Sequence, residues 1–248
     1  MNVLLIRANR NEDDRAALAQ RGLTSTIDPY LTISMVANPQ GAERLLTILE
    51  NNELTWLAVT SVNAFEMWSR QVDAVRLSAA LGDVERVRIA AVGSSTAQAM
   101  RPFGVTDVLV PDRFDSADLA TQLRGTSPTT VVIPTGTRSM KTLPNELRVR
   151  GIHVVEETFY DTQAVNDEPP SVASIAGGAI DAVLFRSPSA AHAFASFVGT
   201  PPPHVALIAA GHTTAKHMSV AGLVATAIAS NPLPETVAST IAEVLEKG

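Results

Sequence analysis

Residues 90–100 read AAVGSSTAQAM, and residues 209–218 read AAGHTTAKHM. Both place a small apolar run before a glycine, then hydroxyl-bearing or polar residues, then an alanine-rich helical start. The likeness extends well past the turn. Gly93 and Gly211 lie 118 residues apart, as do Thr96 and Thr214, Ala97 and Ala215, and Gly104 and Gly222. The same offset lays Ser116-x-x-Leu119-Ala120-x-x-Leu123 on Pro234-x-x-Val237-Ala238-x-x-Ile241. Upstream, TSVNA at 60–64 matches RSPSA at 186–190 at an offset of 126, so the first copy carries eight more residues. One such match is chance, but four in the same order read as two homologous halves.

Around these copies, short β-rich runs alternate with helical patterns. The strands expected are Val3–Ile6, Thr55–Thr60, Val87–Val92, Asp107–Val110, Thr130–Pro134, Ala182–Phe185, His204–Ala209 and Val224–Ala227. The helices expected include Glu12–Gln20, Gly41–Leu49, Ser116–Leu123, Ser139–Val149, Ala190–Phe197 and Pro234–Leu245. Strands alternating with helices imply βαβ units, hence parallel sheets covered on both faces. The fold class is therefore α/β, with two similar doubly wound parallel-sheet domains.

A second pairing decides where the halves are cut. VLLI at 3–6 resembles VVIP at 131–134, and Tyr30-Leu31-Thr32 resembles Tyr160-Asp161-Thr162. If each half needs its own VLLI-type strand, the N-terminal strand belongs with the C-terminal half. The expected division is a discontinuous domain, 1–33 plus 166–248, with 36–160 inserted as the second. The segments 24–35 and 158–166, each carrying a Tyr-x-Thr, would form a two-stranded connector. Pro169-Pro170 fits a boundary just after the second crossing.

The composition removes several function classes. A chain of 248 residues with 46% hydrophobic and 18% charged residues is globular. It has no cysteine, which excludes disulfides, thiolate metal sites and cysteine nucleophiles. A formal net charge of −6 argues against nucleic-acid binding. No apolar run approaches the roughly 20 residues of a membrane helix, and Val3–Ile6 is too short for a secretion-signal core. A soluble, cytoplasmic protein with no membrane partner is expected.

A strand–Gly–(Ser/Thr)–helix turn offers free backbone N–H groups, hydroxyl donors and the positive end of a helix dipole, which together bind anions. Four such turns follow Thr60-Ser61, Gly93, Ser187 and Gly211. Any one of them alone is an ordinary N-cap; their duplication at matching positions points to ligand binding at strand ends, facing a cleft between two domains. The candidate binding residues are Ser61, Gly93, Ser94, Ser95, Thr96, Ser187, Gly211, His212, Thr213 and Thr214, with Arg7 and Arg138 supplying positive charge. Arg186 likewise directly follows a strand and is expected to attract an anion, and Arg10, Lys141 and Lys216 lie near the same strand ends. His212 by itself reads as a surface histidine, and Tyr160 as either a packed connector aromatic or a phenol serving as donor. Glu12-Asp13-Asp14 complements a helix N-terminus. There is no P-loop, dinucleotide fingerprint, nucleophile elbow or metal-ligand spacing among the five histidines. No metal is expected.

Taken together in order, TSVNAFE, AVGSSTAQAM, VPDRFDSADLA, EETFYDTQ, FRSPSAAHAF, AAGHTTAKHM and SNPLPETVASTI resemble the uroporphyrinogen-III synthase family over nearly the whole chain. VLLIRANR is similar to that family's strand followed by Arg-Pro, with Ala8 in place of the proline. The resemblance implies a two-domain, cofactor-free enzyme of tetrapyrrole biosynthesis, and a monomer is expected. Its substrate would be hydroxymethylbilane, a linear tetrapyrrole with eight carboxylates. Hydroxide leaves with acid help, the last ring is attacked at its substituted carbon, and a spiro intermediate fragments and recloses with that ring inverted. On this resemblance Tyr160 assists the loss of hydroxide, Thr96 and Thr214 are the turn hydroxyls, and Ser61 and Ser187 are the remaining donors. A reading from another class is a two-domain small-anion-binding or sensor protein, which would use the same turns without turnover.

Overall fold

The computed structural model of the chain describes residues 1–51, 54–111, 116–123 and 130–247. Part of the VPDRFDSADLA run, residues 112–115, lies outside the described residues. The chain divides into two compact units, Met1–Ile33 with Thr162–Gly248, and Ser34–Asp161. It passes from one unit to the other within two strands, Leu31–Met35 and His153–Ala164.

The first unit starts with β1 (Asn2–Leu5), α1 (Glu12–Gln20) and β2 (Thr24–Ile27), a parallel βαβ unit in which Leu4 faces Thr26. The chain re-enters this unit in the strand His153–Ala164. It continues through α8 (Ser171–Ala176), β8 (Ala182–Phe185), α9 (Pro188–Val198), β9 (Ala206–Ala209), α10 (His212–Val220), β10 (Ala227–Ile228) and α11 (Pro234–Lys247). The sheet order is β10-β9-β8-β1-β2, with Leu4 beside Val183 and Leu184 beside Ile208. Because side chains alternate along a strand, the apolar run of β1 supplies two cores. Leu4 and Ile6 join Val183, Phe185, Leu207 and Phe194 on one face. Val3 and Leu5 join Leu184, Ile208, Leu18 of α1, and Val237 and Ile241 of α11 on the other.

The second unit contains β3 (Leu31–Met35), α2 (Pro39–Asn51), β4 (Thr55–Val59), α3 (Val62–Ser69), α4 (Ala74–Gly82), β5 (Val87–Ala91), α5 (Ser94–Ala99), α6 (Ser116–Leu123), β6 (Thr130–Gly136), α7 (Thr142–Val149) and β7 (His153–Ala164). Its order is β3-β7-β6-β4-β5, and β4, β5, β6 and β7 run parallel. Leu57, Val59, Val132 and Phe159 pack with α2, Phe65 and Trp68. Trp56, Ala58, Val131 and Ile133 pack with Leu119 and Leu147.

The duplication reaches the backbone. Gly104 and Gly222 close the duplicated helical segments at φ 82° and 79°, and their N–H groups bond back to Arg101 and Ser219. That left-handed conformation favours glycine, which explains why both copies keep one. Val92 N donates to Val59 O at 3.0 Å, and Ala210 N donates to Phe185 O at 2.9 Å, the same bond in each unit.

Several expected elements differ from those observed. Asp107–Val110 is not a strand: Leu109 makes an isolated parallel bridge to Ala90 at the sheet edge, and Pro111, which has no N–H, follows. The last strand is Ala227–Ile228, not Val224–Ala227, because Val224 is exposed and pairing with β9 begins only at Ala227. The helix expected from Ser139 begins at Thr142, since Ser139 is held in a turn against Gly136. His204 and Val205 precede β9, which starts at Ala206. The extended segment from Thr24 breaks at Asp28-Pro29 into β2, in the first unit's sheet, and β3, beside β7.

Candidate functional site

In a parallel sheet all strand ends of one kind lie at one edge, so the topology gathers the candidate residues of each unit at its carboxyl edge. In the second unit this edge carries Ser61 after β4, Gly93 after β5, the turn Thr137-Arg138-Ser139 after β6, and Tyr160 on β7. In the first it carries Arg7 after β1, Arg186 and Ser187 after β8, and Gly211 after β9.

Ser61 and Ser187 cap helices α3 and α9 in the same way. Ser61 Oγ accepts from Ala64 N at 3.4 Å, and Ser187 Oγ accepts from Ala190 N at 3.3 Å. As acceptors they satisfy a helix N–H, while the hydroxyl proton is left to donate elsewhere. Gly93 and Gly211 cap α5 and α10 without any side-chain bond. Beyond them Ser94, Ser95, His212 and Thr213 are at least partly open to solvent, whereas Thr96 and Thr214 are buried at 5% and 6% exposure. The solvent-facing part of each turn is thus the glycine and the two residues after it. The threonines shared at the 118-residue offset sit one step further in. Gly211 has φ 175°, open to any residue, and a Cβ there would meet nothing within 4 Å. Neither backbone nor packing requires glycine at that position.

The arginines separate into three kinds. Arg186, expected to draw an anion, is occupied within the protein. Its Nε donates to Asp14 Oδ2 at 2.7 Å, a second nitrogen to Asp14 Oδ1, and a third to Pro232 O at 2.6 Å. Burial explains this correction: at 10% side-chain exposure a guanidinium needs an internal counter-charge. Arg7 is only grazed by that carboxylate, at 3.9 Å, and its Nε donates to Asn9 O at 2.6 Å. Burial pulls its pKa down to about 10, against the attraction of Asp14, so it stays cationic at neutral pH. Arg138 stands exposed on its turn, and Lys141 is paired with Glu156 at 2.7 Å.

Tyr160 is half-buried, and its ring lies over Gly136, its partner in the β6–β7 ladder. Its repeat counterpart, Tyr30, has the opposite environment. It is fully buried, its hydroxyl bonds Ser171 Oγ at 2.9 Å, and its ring stacks on Phe194 at 5.6 Å. Burial raises its pKa further out of range, although the Ser171 bond opposes this.

Two features escaped sequence reading. Asp14 points inward to Arg186 instead of only serving a helix dipole; the pairing spans 172 residues, and no local pattern signals it. Gly136-Thr137-Arg138-Ser139 is a third glycine–hydroxyl turn after a buried strand, and its composition was a usable signal. Two open hollows lie elsewhere, one along α2 at Glu43 and Thr47, another at Ser230 and Thr236; neither includes a candidate residue. No group of three or more metal-ligating side chains occurs among the described residues.

The structure is that of a two-unit α/β protein, each unit carrying bare or serine-capped helix N-termini at the carboxyl edge of its parallel sheet. A family profile described as uroporphyrinogen-III synthase HemD matches residues 12–238. The chain belongs to the uroporphyrinogen-III synthase family. It is 28% identical over 192 residues to the porphyrin biosynthesis protein HemD of Ruminiclostridium josui, covering 75% of this chain and 38% of that protein's length. In fold it is similar to a mutant uroporphyrinogen III synthase from the extremely thermophilic bacterium Thermus thermophilus, with a TM-score of 0.65 at 17% identity and full coverage of both chains. It is also similar to uroporphyrinogen-III synthetase from Helicobacter pylori, with a TM-score of 0.61 at 14% identity, covering 98% of this chain and 99% of that one. No described helix is long and apolar enough to cross a membrane.

Proposed function

We propose that the chain cyclises hydroxymethylbilane to uroporphyrinogen III, inverting ring D through a spiro intermediate with loss of water, as a cytoplasmic monomer. The observation that carries this reading is the family match over residues 12–238. The bilane is intrinsically reactive, and unaided closure gives the wrong isomer. The protein's work is to fold a flexible polycarboxylate and aim one carbon, which is a task of positioning.

Carboxylates set against helix N-termini gain about 0.3–1 kcal/mol each, and charged hydrogen bonds about 1.5–3 kcal/mol. Gly93-Ser94-Ser95 and Gly211-His212-Thr213 offer such contacts in the two units, with Thr96 and Thr214 behind them. Gly211 supports the reading, because the chain itself has no need of a glycine there. Arg7 adds a cation that Asp14 only partly answers. Tyr160 stands as the proton donor to the departing hydroxide, and Ser61, Ser187 and Arg138 complete the polar edge. The sensor reading, with binding but no turnover, is disfavoured by the family match.

Isomer analysis of the product from hydroxymethylbilane tests the proposal, using protein that has been chelated and desalted. The type III isomer is expected; spontaneous closure product alone would overturn it. Tyr160→Phe should slow type III formation by about 10²–10⁴-fold, the usual contribution of acid assistance, without abolishing it. Full activity in that variant, normally folded, would remove Tyr160 from the reaction.

A further inference from the structure

Gly136 and Tyr160 become direct partners after a register shift between Thr135 and Gly136 in the β6–β7 ladder. A Cβ placed on Gly136 would stand 2.4 Å from Tyr160 Cζ, 2.6 Å from Cε1 and 2.8 Å from Cε2. Carbon atoms in contact prefer about 3.5–4.0 Å, so ring and methyl group exclude each other. The backbone there is held from several directions. Gly136 N donates to Ser139 Oγ at 2.7 Å, Ser139 N to Gly136 O at 3.1 Å, and Thr137 N to Tyr160 O at 3.0 Å. Thr137 Oγ1 also donates to Asp161 Oδ1. A methyl group at 136 would therefore displace the ring, which turns about two side-chain torsions, before it displaced the ladder.

We propose that Gly136 is a positioning residue for Tyr160. The missing side chain lets the phenol lie down on the end of β6, and the turn Gly136–Ser139 fixes the surface it lies on, so that the direction of the hydroxyl is set. The effect on turnover rests on the acid role proposed for Tyr160; the placement does not. A ring laid over a glycine can also serve only to cover bare backbone, and the test is chosen to tell these apart.

The chain has two tyrosines, Tyr30 and Tyr160. Protein labelled with 3-fluorotyrosine therefore gives two ¹⁹F resonances, assigned with Tyr30→Phe and Tyr160→Phe. Gly136→Ala is expected to shift the Tyr160 resonance and leave that of Tyr30 in place; an unmoved Tyr160 resonance overturns the proposal. In turnover, Gly136→Ala should lower kcat by about 10²-fold, the scale of a 1 Å misplacement, with KM retained. Added to Tyr160→Phe, it should cause no further loss, whereas multiplicative losses would mean that the two residues act independently and would overturn the positioning role. A shifted resonance with normal kcat would uphold the placement and refute the acid role. Should Gly136→Ala not fold, Gly136→Ala/Tyr160→Ala decides. A folded double variant puts the clash on the ring, and an unfolded one shows that the glycine serves something else.

Discussion

Asp14→Ala isolates the cost of a buried charge left alone. Asp14 is 4% exposed in its side chain and Arg186 10%, and the carboxylate takes two of the guanidinium's hydrogen bonds. With Asp14 removed, Arg186 keeps its bond to Pro232 O, which carries no full charge. Breaking a buried pair from one side costs about 3–5 kcal/mol. At about 2–4 °C per kcal/mol for a chain of this size, the melting temperature should fall by roughly 6–20 °C. Calorimetry at neutral pH measures this directly. The control is Asp14→Leu/Arg186→Met, which replaces both charges with apolar groups and should recover most of the loss. Asp13→Ala, one residue earlier and exposed, should cost only the helix-dipole contribution of about 0.3–1 kcal/mol. An Asp14→Ala loss below about 1 kcal/mol, the scale of a surface ion pair, would refute the reasoning, since Arg186 would then be reaching solvent.

Tyr30→Phe keeps the stack on Phe194 but loses the bond to Ser171, so urea melts should show about 1 kcal/mol of destabilisation with an unchanged turnover rate; a large fall in kcat would place Tyr30 in the reaction. Burial alone would raise the pKa of Glu156, but the hydrogen bonds from Lys141 and Arg148 outweigh it and hold the carboxyl below the usual range. A depressed folded pKa contributes stability that is present above the unfolded value of about 4.3 and lost as pH falls through the folded one. The stability gap between the wild type and Glu156→Gln should therefore be full at pH 7 and close on acidification, and a gap constant with pH would contradict the assignment. Gly211→Ser should leave α10 as stable or more so, because serine is the better N-cap and a side chain there meets open space, while raising KM for the bilane. Unaltered kinetics would show that nothing approaches that turn.

Much of the fold was legible because it is local. The 118-residue offset between Gly104 and Gly222 marks two backbones with φ near 80°, a conformation that selects glycine whatever surrounds it. The apolar runs of β1, β4 and β6 read as strands because they are buried on both faces. The helix α8 is not among those expected from the sequence: six residues carry too few turns for a period to stand out. The strand expected at Asp107–Val110 failed because pairing at a sheet edge depends on a neighbour that the sequence does not specify.

The candidate site divides along the same line. Its turns were visible in the sequence, since a glycine followed by hydroxyl residues after a buried strand shapes its own backbone. The state of each side chain was settled by contacts between residues far apart in the chain. Arg7 and Arg186 look alike in sequence, yet Asp14 takes one guanidinium in two hydrogen bonds and only grazes the other, because burial fixes which guanidinium needs it. Tyr30 and Tyr160 occupy equivalent places in the repeat. One is sealed against Phe194 and Ser171, and the other rests on a glycine at a strand end. Composition chose the turns, and packing, which alone sets desolvation and partner geometry, chose which charges and hydroxyls remain open to a ligand.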